Sequence, residues 1–102
     1  MNTMNERIAE YYGAEKQMIV LVEELAELIQ AANKWLRMQQ NGQPVRKSEE
    51  EVMANLIEEM ADVSIMMDQI KYLLGISEKQ LADIRVGKIK RTADLISAKR
   101  KG

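Results

Sequence analysis

Apolar residues recur every three or four positions along most of the chain, which is the spacing of an α-helix. No stretch alternates between apolar and polar residues as a half-buried β-strand does. The pattern predicts four helices, covering roughly residues 3–11, 14–40, 48–74 and 77–99. The sequence Asn-Gly-Gln-Pro at residues 41–44 separates the second helix from the third, because glycine and proline both interrupt helices. We therefore expect an all-α fold.

Residues at the predicted helix ends support these boundaries. Ser48 and Glu51, and again Ser77 and Gln80, have the three-residue spacing of a capping box, in which side chains bond the free N–H groups of a first helical turn. Gly75 stands where the third helix should end, and glycine is the usual residue at that position.

The two long helices are apolar around most of their circumference. With residues placed about 100° apart, the apolar stripe of the second helix is centred on Met18, Val22, Leu25, Ile29 and Leu36. The corresponding stripe of the third helix is centred on Val52, Leu56, Met60, Val63, Met67, Ile70 and Leu74. A thin fourth helix cannot cover both stripes. We therefore expect a four-helix bundle completed by oligomerisation, as a homodimer or homotetramer.

Composition narrows the possible chemistry. The 102 residues predict one domain, residues 1–102, and the absence of cysteine and histidine excludes disulfides, thiol nucleophiles and the common ligands of zinc. A bound metal would therefore need oxygen ligands, as Mg²⁺ and Mn²⁺ do. The net charge of −1 favours neither a nucleic-acid partner nor an acidic membrane surface. No run of transmembrane length and no signal peptide are visible, so we expect a cytoplasmic protein.

Each long helix carries a pair of acids beside its apolar stripe: Glu24 with Glu27, and Glu59 with Asp62. Residues three apart lie about 4.5 Å apart along a helix and about 60° apart around it, so both members of a pair can reach one ion. Partly buried carboxylates repel one another unless one is protonated or a cation lies between them. No lysine lies one turn from Glu24 or Glu27 on that face. One interpretation is a four-carboxylate Mg²⁺ site, and the alternative is two solvated helix faces.

These motifs resemble those of the MazG-like, all-α nucleoside triphosphate pyrophosphohydrolases. The family signature is E-x-x-E followed on the next helix by E-x-x-D, and here it corresponds to Glu24–Glu27 and Glu59–Asp62, each preceded by a further glutamate. The resemblance extends over residues 14–91, although the 31 residues between the motifs make a longer connection than is usual in the family. It implies that Glu24, Glu27, Glu59 and Asp62 hold Mg²⁺ or Mn²⁺. The implied reaction is hydrolysis of (deoxy)nucleoside triphosphates to a monophosphate and pyrophosphate.

The resemblance also implies roles for four further residues. Glu23 or Glu58, which point farther outward, would orient the attacking water or complete the metal coordination, and the sequence does not choose between them. Lys88 falls where the family has a phosphate-binding lysine, with Arg91 as a second candidate. The alternative for these two cations is a solvated basic helix end, which the helix dipole favours.

Two other functions remain open at the level of sequence. The chain can be a non-catalytic helical oligomer, an interaction or regulatory module whose acids only solvate helix faces. It can also keep the fold and the metal but act on a phosphate compound other than a nucleoside triphosphate. Thermal stabilisation by Mg²⁺ distinguishes the enzyme from the non-catalytic oligomer. A substrate panel distinguishes a nucleoside triphosphate pyrophosphohydrolase from an enzyme that acts on another phosphate compound.

Overall fold

The computed structural model describes residues 1–40 and 48–101, and within these ranges it is all-helical. The four helices are α1 (Met4–Tyr12), α2 (Ala14–Gln39), α3 (Glu49–Leu74) and α4 (Glu78–Lys101). The all-α prediction is confirmed, and each predicted boundary lies within about two residues of the observed one. The predicted break at residues 41–44 lies outside the described residues. None of the described helices is long and apolar enough to cross a membrane.

The capping box predicted at Ser77 and Gln80 is confirmed, whereas the one predicted at Ser48 and Glu51 forms only in part, because the Glu51 side chain accepts from the Ser48 hydroxyl at 3.3 Å. The Ser48 hydroxyl accepts a hydrogen bond from the Glu51 backbone N–H at 3.2 Å, at the start of α3. At the start of α4 the capping box is complete, because the Ser77 hydroxyl accepts from the Gln80 N–H at 3.1 Å and the Gln80 side chain accepts from the Ser77 N–H at 2.8 Å. Gly75 ends α3 with a φ of 67°, a left-handed conformation that other residues adopt at a cost.

Helices α2 and α3 form an antiparallel pair, and α1 packs mainly against α3 and less against α2. The buried cluster that joins the pair consists of Leu21, Met66 and Ile70, with Val20 packed against it. Burial of such side chains supplies most of the free energy of folding, at about 25 cal/mol for each Å² of apolar surface. The position of α1 is fixed differently, by polar groups.

A chain of buried amide groups joins the first three helices. The Gln17 side chain donates to the Gln69 side-chain oxygen at 2.7 Å, and the Gln69 amide donates to the Asn5 side-chain oxygen at 2.7 Å. The Asn5 amide in turn donates to the backbone carbonyl of Ile65 at 3.2 Å. Gln17 and Gln69 are buried, so these directional bonds replace hydrogen bonds to water. They hold α1, α2 and α3 in one relative position.

The centre of the apolar stripe predicted for α2 does not form the contact with α3, whereas part of the stripe predicted for α3 is buried. In α2, Val22 and Ile29 of the stripe are exposed, whereas Gln17 and Ala31 are buried. In α3, Val52 and Ile70 of the stripe are buried together with the polar residues Glu59 and Gln69, whereas Met60 of the stripe is exposed. Small and amide-bearing side chains allow the helices to pack with paired polar groups, and this leaves the α2 stripe and part of the α3 stripe outside the contact. A single chain therefore carries an extended exposed apolar surface.

Helix α4 does not pack along any of the other three helices. Apart from half-buried Leu81, each of its described side chains is exposed, and an ion pair between Lys71 and Glu78 at 3.1 Å ties its first turn to α3. The radius of gyration is 18.0 Å, against about 13 Å for a compact chain of this length. The fourth helix thus extends away from the three-helix unit.

Candidate functional site

Three carboxylates from two helices meet beside the Leu21–Met66 contact. Glu24 of α2 and Glu59 and Asp62 of α3 each have an oxygen within 4.8 Å of the others. Glu59 and Asp62 are three residues apart, so they share one side of α3, and the antiparallel pairing brings Glu24 opposite that side. The motifs chosen from the sequence therefore supply the acidic cluster of the structure.

Glu59 is the most enclosed member of this cluster. Its side chain is only 9% exposed, and among the described residues its Oε2 atom is buried without a hydrogen-bond partner. Buried polar atoms are nearly always paired, because desolvation without compensation is unfavourable. A cation or a proton at this oxygen would remove the deficit.

The electrostatics of the cluster agree with its geometry. Burial raises the pKa of Glu24 above its ordinary value of 4.5, and repulsion from Asp62 and Glu59 raises it further. Burial also raises the pKa of Glu59, with repulsion from Glu27 and Asp62 adding to the shift. Both groups therefore hold protons more strongly than free glutamate does, because nothing in the described chain neutralises the cluster fully.

Glu27 does not join the three converging carboxylates. Its side chain is exposed at the edge of the cluster, but it lies close enough to raise the pKa values of Glu24 and Glu59 by repulsion. Glu23 and Glu58 are exposed, as their angles around the helices predict. Of these two, Glu58 lies close enough to Glu59 to raise its pKa.

A lysine that the sequence places beside Glu23, on the more solvated side of α2, also lies near the acidic cluster. Lys34 of α2 is half-buried, and its positive charge lowers the pKa of Glu59, against the other influences on that group. It lies seven residues after Glu27, which is two helical turns, and so on the same side of α2. The signal for this lysine in the sequence is therefore its spacing of two turns, and not one turn, from Glu27.

Lys88 and Arg91 lie on α4, where both are exposed. Because α4 does not pack along α2 or α3, a single chain does not bring either cation to the acidic cluster. Their phosphate-binding role stays a prediction that requires either a second chain or movement of α4.

A larger cleft than the space at the acids lies elsewhere, between α1 and α3. It has a volume of about 720 Å³ and is lined by the start of α1 and the end of α3, including Asn5, Lys71 and Tyr72. Lys71 is paired with Asp68 at 3.0 Å, and the Tyr72 hydroxyl donates to Glu10. Lys71 and Tyr72 in this cleft thus have partners, whereas the Glu59 Oε2 atom has none among the described residues, so we take the acidic cluster and not this cleft as the candidate site.

The acidic cluster fits a hard divalent cation such as Mg²⁺. Its donors are all carboxylate oxygens, and the buried Glu59 Oε2 atom lacks a partner among the described residues. The three carboxylate oxygens lie within 4.8 Å of one another, so they would have to move closer together to bind one Mg²⁺ ion. Three protein ligands also leave positions for water or phosphate oxygens.

Comparisons of the chain with protein-family models, with curated proteins and with solved structures found no match.

Proposed function

We propose that the protein is a Mg²⁺-dependent nucleotide pyrophosphohydrolase that converts (deoxy)nucleoside triphosphates to monophosphates and pyrophosphate. The observation that carries this proposal is the meeting of Glu24, Glu59 and Asp62, where the buried Oε2 atom of Glu59 has no hydrogen-bond partner in the part of the chain that the structure describes. These acids belong to the two motifs that resemble those of the MazG-like family. A solvated helix face has no reason to bury a carboxylate oxygen without a partner.

We assign a separate role in the proposed site to each group of residues. Glu24, Glu59 and Asp62 hold the cation, and Glu27 at the edge of the cluster completes its coordination or bonds its waters. When bound, Mg²⁺ supplies charge for the phosphate oxygens and lowers the pKa of a coordinated water. Exposed Glu58 or Glu23 positions the attacking water and accepts its proton. Mn²⁺ has the same ligand preference and should also bind.

Lys34 adds a phosphate contact to this proposal. It is the cation of the helix pair that influences Glu59, and its flexible four-carbon stem lets the ammonium group follow a substrate phosphate. Lys88 and Arg91 are proposed as further phosphate ligands in a homodimer or homotetramer of the MazG-like type.

A second candidate function rests on a different observation. The exposed apolar residues of α2 and α3, together with the detached α4, are features of a chain that associates with other chains. A non-catalytic interaction module would use these surfaces, and its acids would need no metal.

A nucleotide panel with Mg²⁺ tests the proposal. The expected products are a nucleoside monophosphate and pyrophosphate, measured separately from orthophosphate for each base and sugar. Glu59→Gln should lose activity, whereas the matched control Glu50→Gln, an exposed acid in the first turn of α3, should keep it. Orthophosphate as the primary product would contradict α–β cleavage. No turnover of any nucleotide, with no response to Mg²⁺, would favour the interaction module.

A further inference from the structure

A cleft between the end of α1 and the start of α2 lies next to the acidic cluster. This α1–α2 cleft has a volume of about 470 Å³ and is lined by Tyr12, Lys16, Gln17, Ile19 and Val20. Its walls are mainly apolar, and Lys16 adds one positive charge. None of the five residues is acidic, in contrast to the neighbouring cluster. The cleft therefore suits a flat, largely apolar group that is attached to a negatively charged one.

The α1–α2 cleft lies on the same side of α2 as the acids. Lys16, Val20 and Glu24 follow one another at intervals of four residues, so they lie within about 80° around the helix. Val20 and Gln17 precede Glu24 by four and seven residues, which places the cleft about 6–10 Å from that acid along the axis. Lys34 lies in the opposite direction, ten residues after Glu24. A nucleotide whose phosphates lie at the acids and extend toward Lys34 can thus place its base in the cleft.

The chain of buried amides determines which atom of Gln17 remains for a ligand. The Ile65 backbone carbonyl can only accept, so the Asn5 amide nitrogen donates to it at 3.2 Å. The Asn5 oxygen is then left to accept from Gln69, and the Gln69 oxygen accepts from Gln17, each at 2.7 Å. Each amide sets the orientation of the next one. The side-chain oxygen of Gln17 is the acceptor at the end of this chain.

The Gln17 oxygen is open to the α1–α2 cleft. Within residues 1–40 and 48–101, no group donates a hydrogen bond to it, although the Gln17 side chain is only 5% exposed. Among the described side chains, the buried N or O atom without a partner is Glu59 Oε2 and not the Gln17 oxygen. The Gln17 oxygen therefore keeps contact with open space, and the space that Gln17 borders is the cleft. An acceptor held in one orientation beside apolar walls favours a ligand group that donates a hydrogen bond.

We propose that the α1–α2 cleft binds the base of the substrate, and that Gln17 selects bases with an exocyclic amino group. This inference rests on the proposed nucleotide hydrolysis and specifies its substrate class. The amino group of adenine or cytosine donates to the Gln17 oxygen. In uracil, or in the hypoxanthine of dITP, a carbonyl oxygen replaces the amino group, so two acceptors would face each other without a proton between them.

The Tyr12 ring supplies a surface on which a base can stack. Its orientation is restrained by Tyr11, because the two rings are in edge-to-face contact with centroids 4.9 Å apart and planes at 88°. Tyr12 is 50% exposed, which leaves part of the ring available to a ligand. Stacking on an aromatic ring tolerates every base, since each base has a π face. Tyr12 should therefore contribute affinity, whereas Gln17 provides the selectivity.

Two pairs of nucleotides test the role of the amino group: dCTP with dUTP, and dATP with dITP. Within each pair, the amino group of one base is replaced by a carbonyl group in the other. In each pair we expect the amino member to have a kcat/KM at least ~10-fold higher, measured by pyrophosphate release with Mg²⁺. Equal kcat/KM values within the pairs would overturn the inference.

Variants assign the selectivity to a residue. Gln17→Met should reduce the ratio of kcat/KM within each pair to below ~2, whereas Gln39→Met, at an exposed glutamine of α2, should keep the wild-type ratio. The ratio is the measure because a changed helix register lowers the turnover of both members alike. Gln17→Asn, which withdraws the oxygen by one methylene group, should also lower the ratio and replaces Gln17→Met if that variant does not fold. A wild-type ratio in the folded Gln17 variant would overturn the role of Gln17.

Tyr12→Ala is expected to act differently from the Gln17 variants. It should raise KM for all four nucleotides at least ~5-fold, because it removes the stacking surface, and it should leave the ratio within each pair unchanged. An unchanged KM would contradict binding of the base in the α1–α2 cleft.

Analogues with a methylene group in place of the α–β bridging oxygen separate binding from hydrolysis. They cannot be cleaved at that bond, so calorimetric titration with Mg²⁺ present measures the base preference alone. Tighter binding of the amino analogues by a protein that hydrolyses no triphosphate would support the inferred base site and count against the proposed function. Pyrophosphate release at equal rates within each pair would support the proposed function and overturn the base selectivity. No binding of any analogue would overturn both.

Discussion

Glu59→Gln should have opposite effects on stability with and without a divalent cation. In EDTA at neutral pH, the wild-type cluster contains several repelling charges and a buried carboxylate oxygen that has no hydrogen-bond partner within residues 1–40 and 48–101. A glutamine of nearly the same shape removes one charge, and its amide group can donate to the neighbouring carboxylates. The metal-free variant should therefore melt at a higher temperature than the metal-free wild type.

The sign of the pH dependence follows from the direction of the pKa shifts. Glu24 and Glu59 have pKa values above the ordinary 4.5 in the folded chain, so the folded state binds more protons than the unfolded state just above that pH. The metal-free wild type should lose stability as the pH rises from 4.5 through the raised pKa values. Glu59→Gln should reduce this loss, since one of the two groups no longer titrates.

The magnitude of the metal effect follows from binding linkage. A ligand that binds only the folded state at 100 times its dissociation constant adds about 2.7 kcal/mol to the free energy of unfolding. For a domain of this size, each kcal/mol raises Tm by about 4–8 °C, so saturating Mg²⁺ should raise the wild-type Tm by roughly 10–20 °C. Glu59→Gln should lose most of this rise, and Glu50→Gln should keep it.

Thermal melts of the three proteins in EDTA and in a Mg²⁺ series measure these effects together. The reasoning would be refuted by an equal Mg²⁺ response in the wild type and Glu59→Gln. It would also fail if Glu59→Gln were less stable than the wild type in EDTA, because the carboxylate would then contribute to stability without a cation.

The other predictions concern turnover and packing. Glu24→Gln and Asp62→Asn should each lower kcat at least ~100-fold, about 2.7 kcal/mol of barrier, in a pyrophosphate-release assay, whereas Glu27→Gln should have a smaller effect because Glu27 lies at the edge of the cluster. Lys34→Met should raise KM more than it lowers kcat if the ammonium group only binds phosphate, and an unchanged KM would exclude that contact. Gln69→Leu should lower the free energy of unfolding by about 1–3 kcal/mol for each amide left buried without a partner, as measured by urea denaturation.

Local signals explain why the helix boundaries could be predicted. Ser48, Ser77 and Gly75 act on backbone groups within a few residues of themselves, and all three have their predicted effect in the structure. The acidic cluster was predictable in part, since i, i+3 spacing places Glu59 and Asp62 on one side of a helix whatever its partner is. Glu27 stays outside the close cluster because of the relative position of α2 and α3. The spacing of residues along one helix does not give that position.

The choice of packing face could not be predicted from either helix alone. Both helices have a wide apolar arc, and periodicity gives its centre but not which part meets the neighbouring helix. That choice depends on pairs such as Gln17 with Gln69, which are 52 residues apart, and Gln69 with Asn5, which are 64 apart. The separation of α4 from the other helices could not be predicted for the same reason. The apolar residues of α4 indicate that it packs on another surface, but they do not identify that surface.

The buried amide pair has a consequence for the acids that lie two turns away. Gln17 of α2 lies opposite Gln69 of α3. Glu24 follows Gln17 by seven residues, and Asp62 precedes Gln69 by seven residues, so in the antiparallel pair these two acids lie opposite each other as well. Seven residues make one heptad, so the two pairs occupy equivalent positions of a repeating helix–helix seam. Apolar neighbours such as Leu21 and Met66 tolerate a slip of one turn along that seam, but the amide bond does not. Replacing both glutamines with leucine should therefore lower the metal affinity more than it lowers the free energy of unfolding. Without the amide bond, α2 can slip along α3, and this slip separates the carboxylates.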